Sequence, residues 1–262
     1  TRSVSAFLLN LSSDLKIFSR VLSGKGRQYR ISQKTIDRVT EIAQLCNYTP
    51  NMIAQSLRTN KTNTIGLIVP NIDNPFFATL SAVIINQLKV RGYNILLTDT
   101  MENEDNEVQA LNSFVSRNVD GIIAVPVGVS PTQLEETATH VPIVLIDRYF
   151  DETSLPYVCT DNYAGGYMAT EYLINKGYRN LLALQGVRTS MPNKERLRGF
   201  LQAIKDYESV GVKGRVTGDS FSVDNGYNEA MQFLGRDVAP YAVFAFITTI
   251  LLGVLKAVKE LG

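Results

Sequence analysis

One histidine, His140, and two cysteines, Cys46 and Cys159, are all this chain offers in imidazole and thiol ligands. The cysteines form no CxxC pair and have no His-rich partner, so neither a metal site nor a disulfide framework is indicated. Without a Ser-His-Asp set or a metal-ligand cluster, acid–base and nucleophilic chemistry have little to work with. A phosphate loop is missing too, since Gly24-Lys25-Gly26 is too short to be one. No apolar run approaches the ~20 residues that span a bilayer, and Ala6-Phe7-Leu8-Leu9 is too brief for a secretory core. The expectation is a cytoplasmic protein that is not an enzyme and needs no cofactor or metal. Low-complexity segments and short-period repeats are also lacking.

What is present is divided unevenly. The net charge of +1 hides ten Lys/Arg against three acids in residues 1–61, and 16 against 22 in the rest. A basic head on an acidic body suits a protein whose head alone meets a polyanion. A solvated basic face with no partner would look the same, so charge alone does not decide. The hydrophobic content of 45% is ordinary for a chain that buries a core.

The chain also changes rhythm near residue 62. Ahead of it the pattern is helical. Asp14 can cap a helix through Leu22, stopped by Ser23-Gly24-Lys25-Gly26. Ser32 can cap a second helix, whose apolar stripe is Ile36, Val39, Ile42, Ala43 and Cys46. Thr49-Pro50 opens a short third segment reaching Leu57. From Thr64 onward, strand-length apolar runs alternate with amphipathic helices. The runs are Ile65–Val69, Asn94–Leu97, Gly121–Val125, Pro142–Ile146, Tyr157–Thr160, Asn180–Leu184, Arg215–Gly218 and Ala242–Phe246. Strands that are continuously apolar are buried on both faces, which predicts parallel sheet flanked by helices. About eight strands are better divided between two successive α/β units than placed in one sheet.

The blocks Ser19-Arg20-Val21-Leu22-Ser23-Gly24, Asn47-Tyr48-Thr49-Pro50-Asn51 and Asn74-Pro75-Phe76-Phe77 stand in order along the chain. They are followed by Val119-Asp120-Gly121, Ile146-Asp147-Arg148, Asp161-Asn162-Tyr163-Ala164-Gly165-Gly166, Arg196-Leu197-Arg198-Gly199-Phe200 and Gly253-Val254-Leu255. Together they resemble the LacI/GalR family of transcriptional regulators over nearly the whole chain. The resemblance implies a small all-α helix-turn-helix head over 1–48 and a hinge helix and linker over 49–62. It further implies an α/β core like a periplasmic binding protein, with parallel-sheet subdomains at 63–161 and 162–262. The family continues through further β/α units, so the second subdomain is expected to be incomplete.

The resemblance also implies a homodimer on palindromic operator DNA, acting in the nucleoid as a regulator, and specifically a repressor. A small polar effector, a sugar, would control its DNA affinity. In the head, Leu15, Lys16 and Arg20 would face base edges, with Ser19 on a phosphate. In the hinge, Leu57 would wedge into the minor groove beside Asn51, Ala54 and Arg58. In the core, Asp73, Phe76, Phe77, Asp147, Arg148, Arg196 and Phe221 would face the effector.

Some positions depart from the family pattern. Ala6 and Leu8 stand where the first head helix usually carries an acid and an Ala, and residues 3–13 read poorly as that helix. The loop Gly26–Arg30 is longer than usual, and its Arg27 and Arg30 offer extra phosphate contacts. Ile247-Thr248 replaces a common Asn-Asp, removing a polar contact from one wall of the core. The rival reading is a periplasmic sugar carrier, which shares the core fold but has no need of the basic head.

Overall fold

The computed structural model describes residues 16–22, 24–46, 59, 61–234 and 242–262. They fall into two compact units, one ending at Thr62 and the other running from Asn63 to Gly262. Residues 3–13 and the hinge segment 50–58 lie outside the described residues.

In the first unit, residues 16–22 are helical. The end of this helix is closed by Gly24, in the left-handed conformation at φ +72°. Gly24 N–H donates to Val21 O and Lys25 N–H to Arg20 O, both at 3.0 Å, so two terminal carbonyls are satisfied. Helix α1, Gln33–Leu45, starts at Ser32, whose hydroxyl accepts the N–H of Thr35 at 3.3 Å. The two helices approach through Val21, Gly26 and Ile36, and a Cβ at Gly26 would lie 2.9 Å from Ile36 Cδ1. Ala43 of the α1 stripe is buried, whereas Ile42 and Cys46 at its far end are exposed.

The second unit holds two parallel sheets. Strands β1 (Thr64–Val69), β2 (Asn94–Asp99), β3 (Gly121–Ala124), β4 (Ile143–Ile146) and β5 (Tyr157–Val158) lie in the order β2-β1-β3-β4-β5. Between them run helices α2 (Pro75–Val90), α3 (Glu104–Ser116) and α4 (Thr132–Ala138). Helix α5 (Asn162–Asn175) then leads into β6 (Asn180–Leu184), α6 (Met191–Asp206), β7 (Lys213–Thr217), α7 (Val223–Leu234), β8 (Ala242–Ala245) and α8 (Thr248–Leu261). The second sheet is ordered β7-β6-β8.

The apolar runs make this layering. Along β6, Leu181 and Ala183 enter one core with Ile174 and Phe200, while Leu182 and Leu184 enter another with Ala230, Ile250 and Val254. A strand clothed on both faces has no solvent side, hence its unbroken apolar sequence. In the first sheet Ile68 meets Leu111 and Phe114 on one face, and Leu67 and Val69 meet Phe77 on the other.

Edge strands depart from the sequence expectation. Tyr157–Thr160 shortens to the two-residue β5, with both Tyr157 and Val158 exposed. The polar run near Arg215 is β7, an edge strand starting at Lys213 whose first three residues are exposed. Helix α4, which periodicity did not mark, has seven residues and a single buried side chain, Leu134.

Candidate functional site

In the first unit, Lys16, Ser19 and Arg20 share one helix face at i, i+3 and i+4 spacing. Lys16 and Ser19 are exposed, and Val21 on the opposite side is buried. The Arg20 guanidinium stacks on Tyr29, 3.9 Å from its ring centroid. This contact holds the Arg20 cation against the loop that follows its helix. Leu15, Asn51, Ala54, Leu57 and Arg58 lie outside the described residues.

In the second unit, a cavity of about 960 Å³ opens at the carboxyl ends of both sheets. It is bounded by the segments that follow β1 (Asn71, Asp73, Asn74), β2 (Glu102), β3 (Pro126 to Val129) and β4 (Arg148 to Glu152). The opposite wall comes from the segments after β6 (Val187, Thr189, Ser190, Met191 and Lys194), β7 (Ser220 to Val223) and β8 (Thr249). This location follows from the architecture, since parallel α/β units leave their loops and helix N-termini converging beyond the strand ends.

Of the residues expected from the sequence, Asp73, Arg148 and Phe221 line this cavity. Asp73 is exposed, and its backbone is fixed by an N–H bond to Asn71 Oδ1 at 2.8 Å. Phe221 lies directly on Gly186, and Thr249 Oγ1 donates to the Phe221 carbonyl at 2.6 Å. Thr249 thus supplies a polar group on a wall where Ile247-Thr248 suggested a loss.

The other four are not among the cavity-lining residues. Phe76 is exposed, while Phe77 is buried with Leu67, Val69 and Val125. Neighbours on a helix point about a quarter-turn apart, so only one of this pair turns to the sheet. Asp147 sits one residue behind Arg148, and burial pushes its carboxyl above the usual Asp range, partly offset by the charges of Arg148 and Arg196. Burial lowers the Arg196 guanidinium, with Asp147 opposing the shift. Arg196 Nε donates to Asn162 Oδ1 at 2.9 Å, and Nη1 to Phe246 O at 2.8 Å. Two of its five donors are therefore committed to tying α5, α6 and the end of β8 together.

Sequence reasoning missed several residues at the same site. Glu102 forms a two-point ion pair with Arg148. Glu107, buried in α3, accepts Val127 N–H at 2.8 Å and so anchors the loop after β3. Its carboxyl is raised by burial, and the loop amides of Val127 and Gly128 oppose that shift. Ser190 Oγ is buried at the start of α6 and has no hydrogen-bond partner among the described residues. Applying the strand-end rule to every strand would have marked Glu102 and Ser190.

Comparison with known proteins agrees with this geometry. Residues 62–262 match the family model described as periplasmic binding proteins and sugar binding domain of the LacI family. The HTH-type transcriptional regulator DegA of Bacillus subtilis is 31% identical over 250 residues, covering 93% of this chain and 72% of that protein. Coverage that wide takes in part of the chain ahead of residue 62. The ribose operon repressor of Halalkalibacterium halodurans is 28% identical, with 93% and 71% covered. Among solved structures, the lac repressor dimer bound to operator and the anti-inducer ONPF matches with a TM-score of 0.82. That match covers 94% of this chain and 73% of the repressor at 19% identity, a likeness of fold.

Proposed function

The chain belongs to the LacI family of transcriptional regulators, and from that membership we propose how its two units divide the work. The basic helical unit binds operator DNA as part of a homodimer. The α/β unit holds a small polar ligand, a sugar, and its occupancy sets the DNA affinity. The observation that supports this reading most is a cavity walled by the strand ends of two parallel sheets. A ligand there touches both walls, so its binding energy differs between open and closed arrangements, which is what a switch requires.

Within this reading, Lys16 and Arg20 donate to guanine edges in the major groove and Ser19 meets a phosphate, with Leu15 on a thymine methyl. Leu57 enters the minor groove, flanked by Asn51, Ala54 and Arg58. Asp73, Arg148 and Phe221 contact the ligand, supported from behind by Asp147 and Arg196, with Phe76 and Phe77 framing that wall. The protein acts in the cytoplasm, at the nucleoid, as a repressor and performs no catalysis.

The test is selection of bound duplexes from a random pool by the full chain. The expected product is one palindromic site, because a two-fold dimer presents the same helix twice. Enrichment of no sequence, or binding that falls with salt equally for every duplex, sinks the reading.

A further inference from the structure

Arg148 is already paired with a carboxylate before any ligand arrives. Its Nη1 lies 2.7 Å from Glu102 Oε2 and its Nη2 2.7 Å from Glu102 Oε1, a fork-to-fork pair. The guanidinium also lies 5.6 Å from the Phe77 ring centroid and 5.8 Å from that of Phe221. Its side chain is only 11% exposed. Glu102 therefore covers the face of Arg148 that a ligand anion would need.

The backbone is shaped to hold this pair. Met101, Glu102 and Asp147 have φ of +53°, +55° and +63°, the left-handed region that non-glycine residues avoid. They are three of the six such residues among those described. Strain gathered at both ends of one ion pair persists only where the surroundings over-determine it. Here Glu102 N–H donates to Pro70 O and Arg148 N–H to Ile146 O, each at 2.7 Å.

The remaining charges point the same way. Asp73, Asp151 and Glu152 join Glu102 in the cavity lining, against Arg148 and Lys194. Helices α2, α4, α6, α7 and α8 begin at the cavity, with Asn74, Pro131, Met191, Val223 and Thr249 in its lining, and their N-termini favour negative charge. Each is a partial charge felt over one turn, while Glu102 is a full carboxylate in direct contact with the guanidinium.

We propose that the cavity selects an uncharged polyhydroxylated ligand over its phosphorylated or carboxylated counterpart, and that Glu102 is the residue that sets this selectivity. The proposal rests on the reading of the cavity as a sugar site. A phosphate that takes the Arg148 fork must displace Glu102, and one that binds beside it shares a single cation with a second anion. A hydroxyl makes its bonds with Glu102 in place, donating to the carboxylate.

The experiment is calorimetric titration of the full chain with matched pairs: pentoses and their 5-phosphates, hexoses and their 6-phosphates, and hexoses and their uronic acids. Wild type should bind at least one neutral member about tenfold or more tighter than its anionic partner. Glu102→Gln should narrow that ratio by about tenfold, mainly by tightening the anion, since the fork then meets a neutral amide. Glu102→Asp keeps the charge and should keep the preference, and the wild-type ratio stands as a test even if Glu102→Gln fails to fold. A wild-type preference for the anion, or an unchanged ratio in a folded Glu102→Gln, overturns the proposal while leaving the sugar site standing. If neither member of any pair binds, the sugar site itself is refuted and the proposal falls with it.

Discussion

Gly166 of α5 and Arg196 of α6 meet backbone to backbone: a Cβ at position 166 would stand 2.3 Å from the Arg196 carbonyl oxygen. The contact is reciprocal, because a Cβ at Gly199 would lie 2.2 Å from Tyr163 O. Helices α7 and α8 repeat the device, with Gly226 against Ile250 O at 2.1 Å and Gly253 against Val223 O at 2.0 Å. These approaches let α5 and α6 close tightly enough for Arg196 to reach Asn162 and Phe246 O. Gly166→Ala or Gly199→Ala should therefore destabilise the fold by ~1–3 kcal/mol through overpacking against backbone that cannot yield. Denaturant unfolding measures this, and an unmoved midpoint would show that the helices separate at no cost.

Gly186 supports the cavity in a different way. A Cβ there would fall 1.9 Å from Phe221 Cδ1, so the ring rests on bare backbone. Gly186→Ala should push the ring towards the cavity and weaken ligand binding by about tenfold or more, with the overall fold kept. Binding equal to wild type would mean that Phe221 does not shape the ligand site.

Glu107 gives a dependence on pH. Burial raises its carboxyl above the ordinary 4.5, so the folded state takes up this proton more readily than the unfolded state. Its contribution to stability is thus fully present below about 4.5 and is lost as pH rises through the higher folded value. In Glu107→Gln that dependence is absent. The difference in Tm between wild type and variant should move in favour of wild type on acidification towards pH 4.5. Parallel curves across that window would contradict the account.

In the head, Arg20 is held against Tyr29 on the same helix face as Lys16. Arg20→Ala should weaken specific DNA binding by ~1–3 kcal/mol and relax preference at one base pair per half-site. Competition with random duplex is the control. An equal loss on both DNAs would make Arg20 a phosphate contact.

The sequence made some elements legible and hid others for physical reasons. β6 could be read because both its faces are buried, leaving no polar position to blur the run. β7 was faint because an edge strand tolerates Lys213 and Arg215 in water, and α4 was missed because Leu134 alone leaves no periodicity. The glycine blocks near 166, 199 and 253 stood out as motifs, but their reason, contact with another helix's carbonyls, exists only once the helices are packed. At the site, Asp73, Arg148 and Phe221 followed from strand ends and motif. Glu102 also follows a strand end, that of β2, but was passed over because its left-handed turn contains no glycine or proline to announce it. Glu107 resembled the solvated acids Glu104 and Asp105 beside it, and only burial sets it apart.

The central claim is that ligand and DNA act on one equilibrium, and reciprocity tests it most directly. The measurement is the affinity of the full chain for its selected operator with and without saturating ligand, paired with the affinity for ligand with and without saturating operator. The account predicts the same factor in both directions, equivalent to ~1–3 kcal/mol, because coupling between two binding sites is a single free energy. Operator affinity indifferent to a ligand that demonstrably occupies the cavity would contradict it.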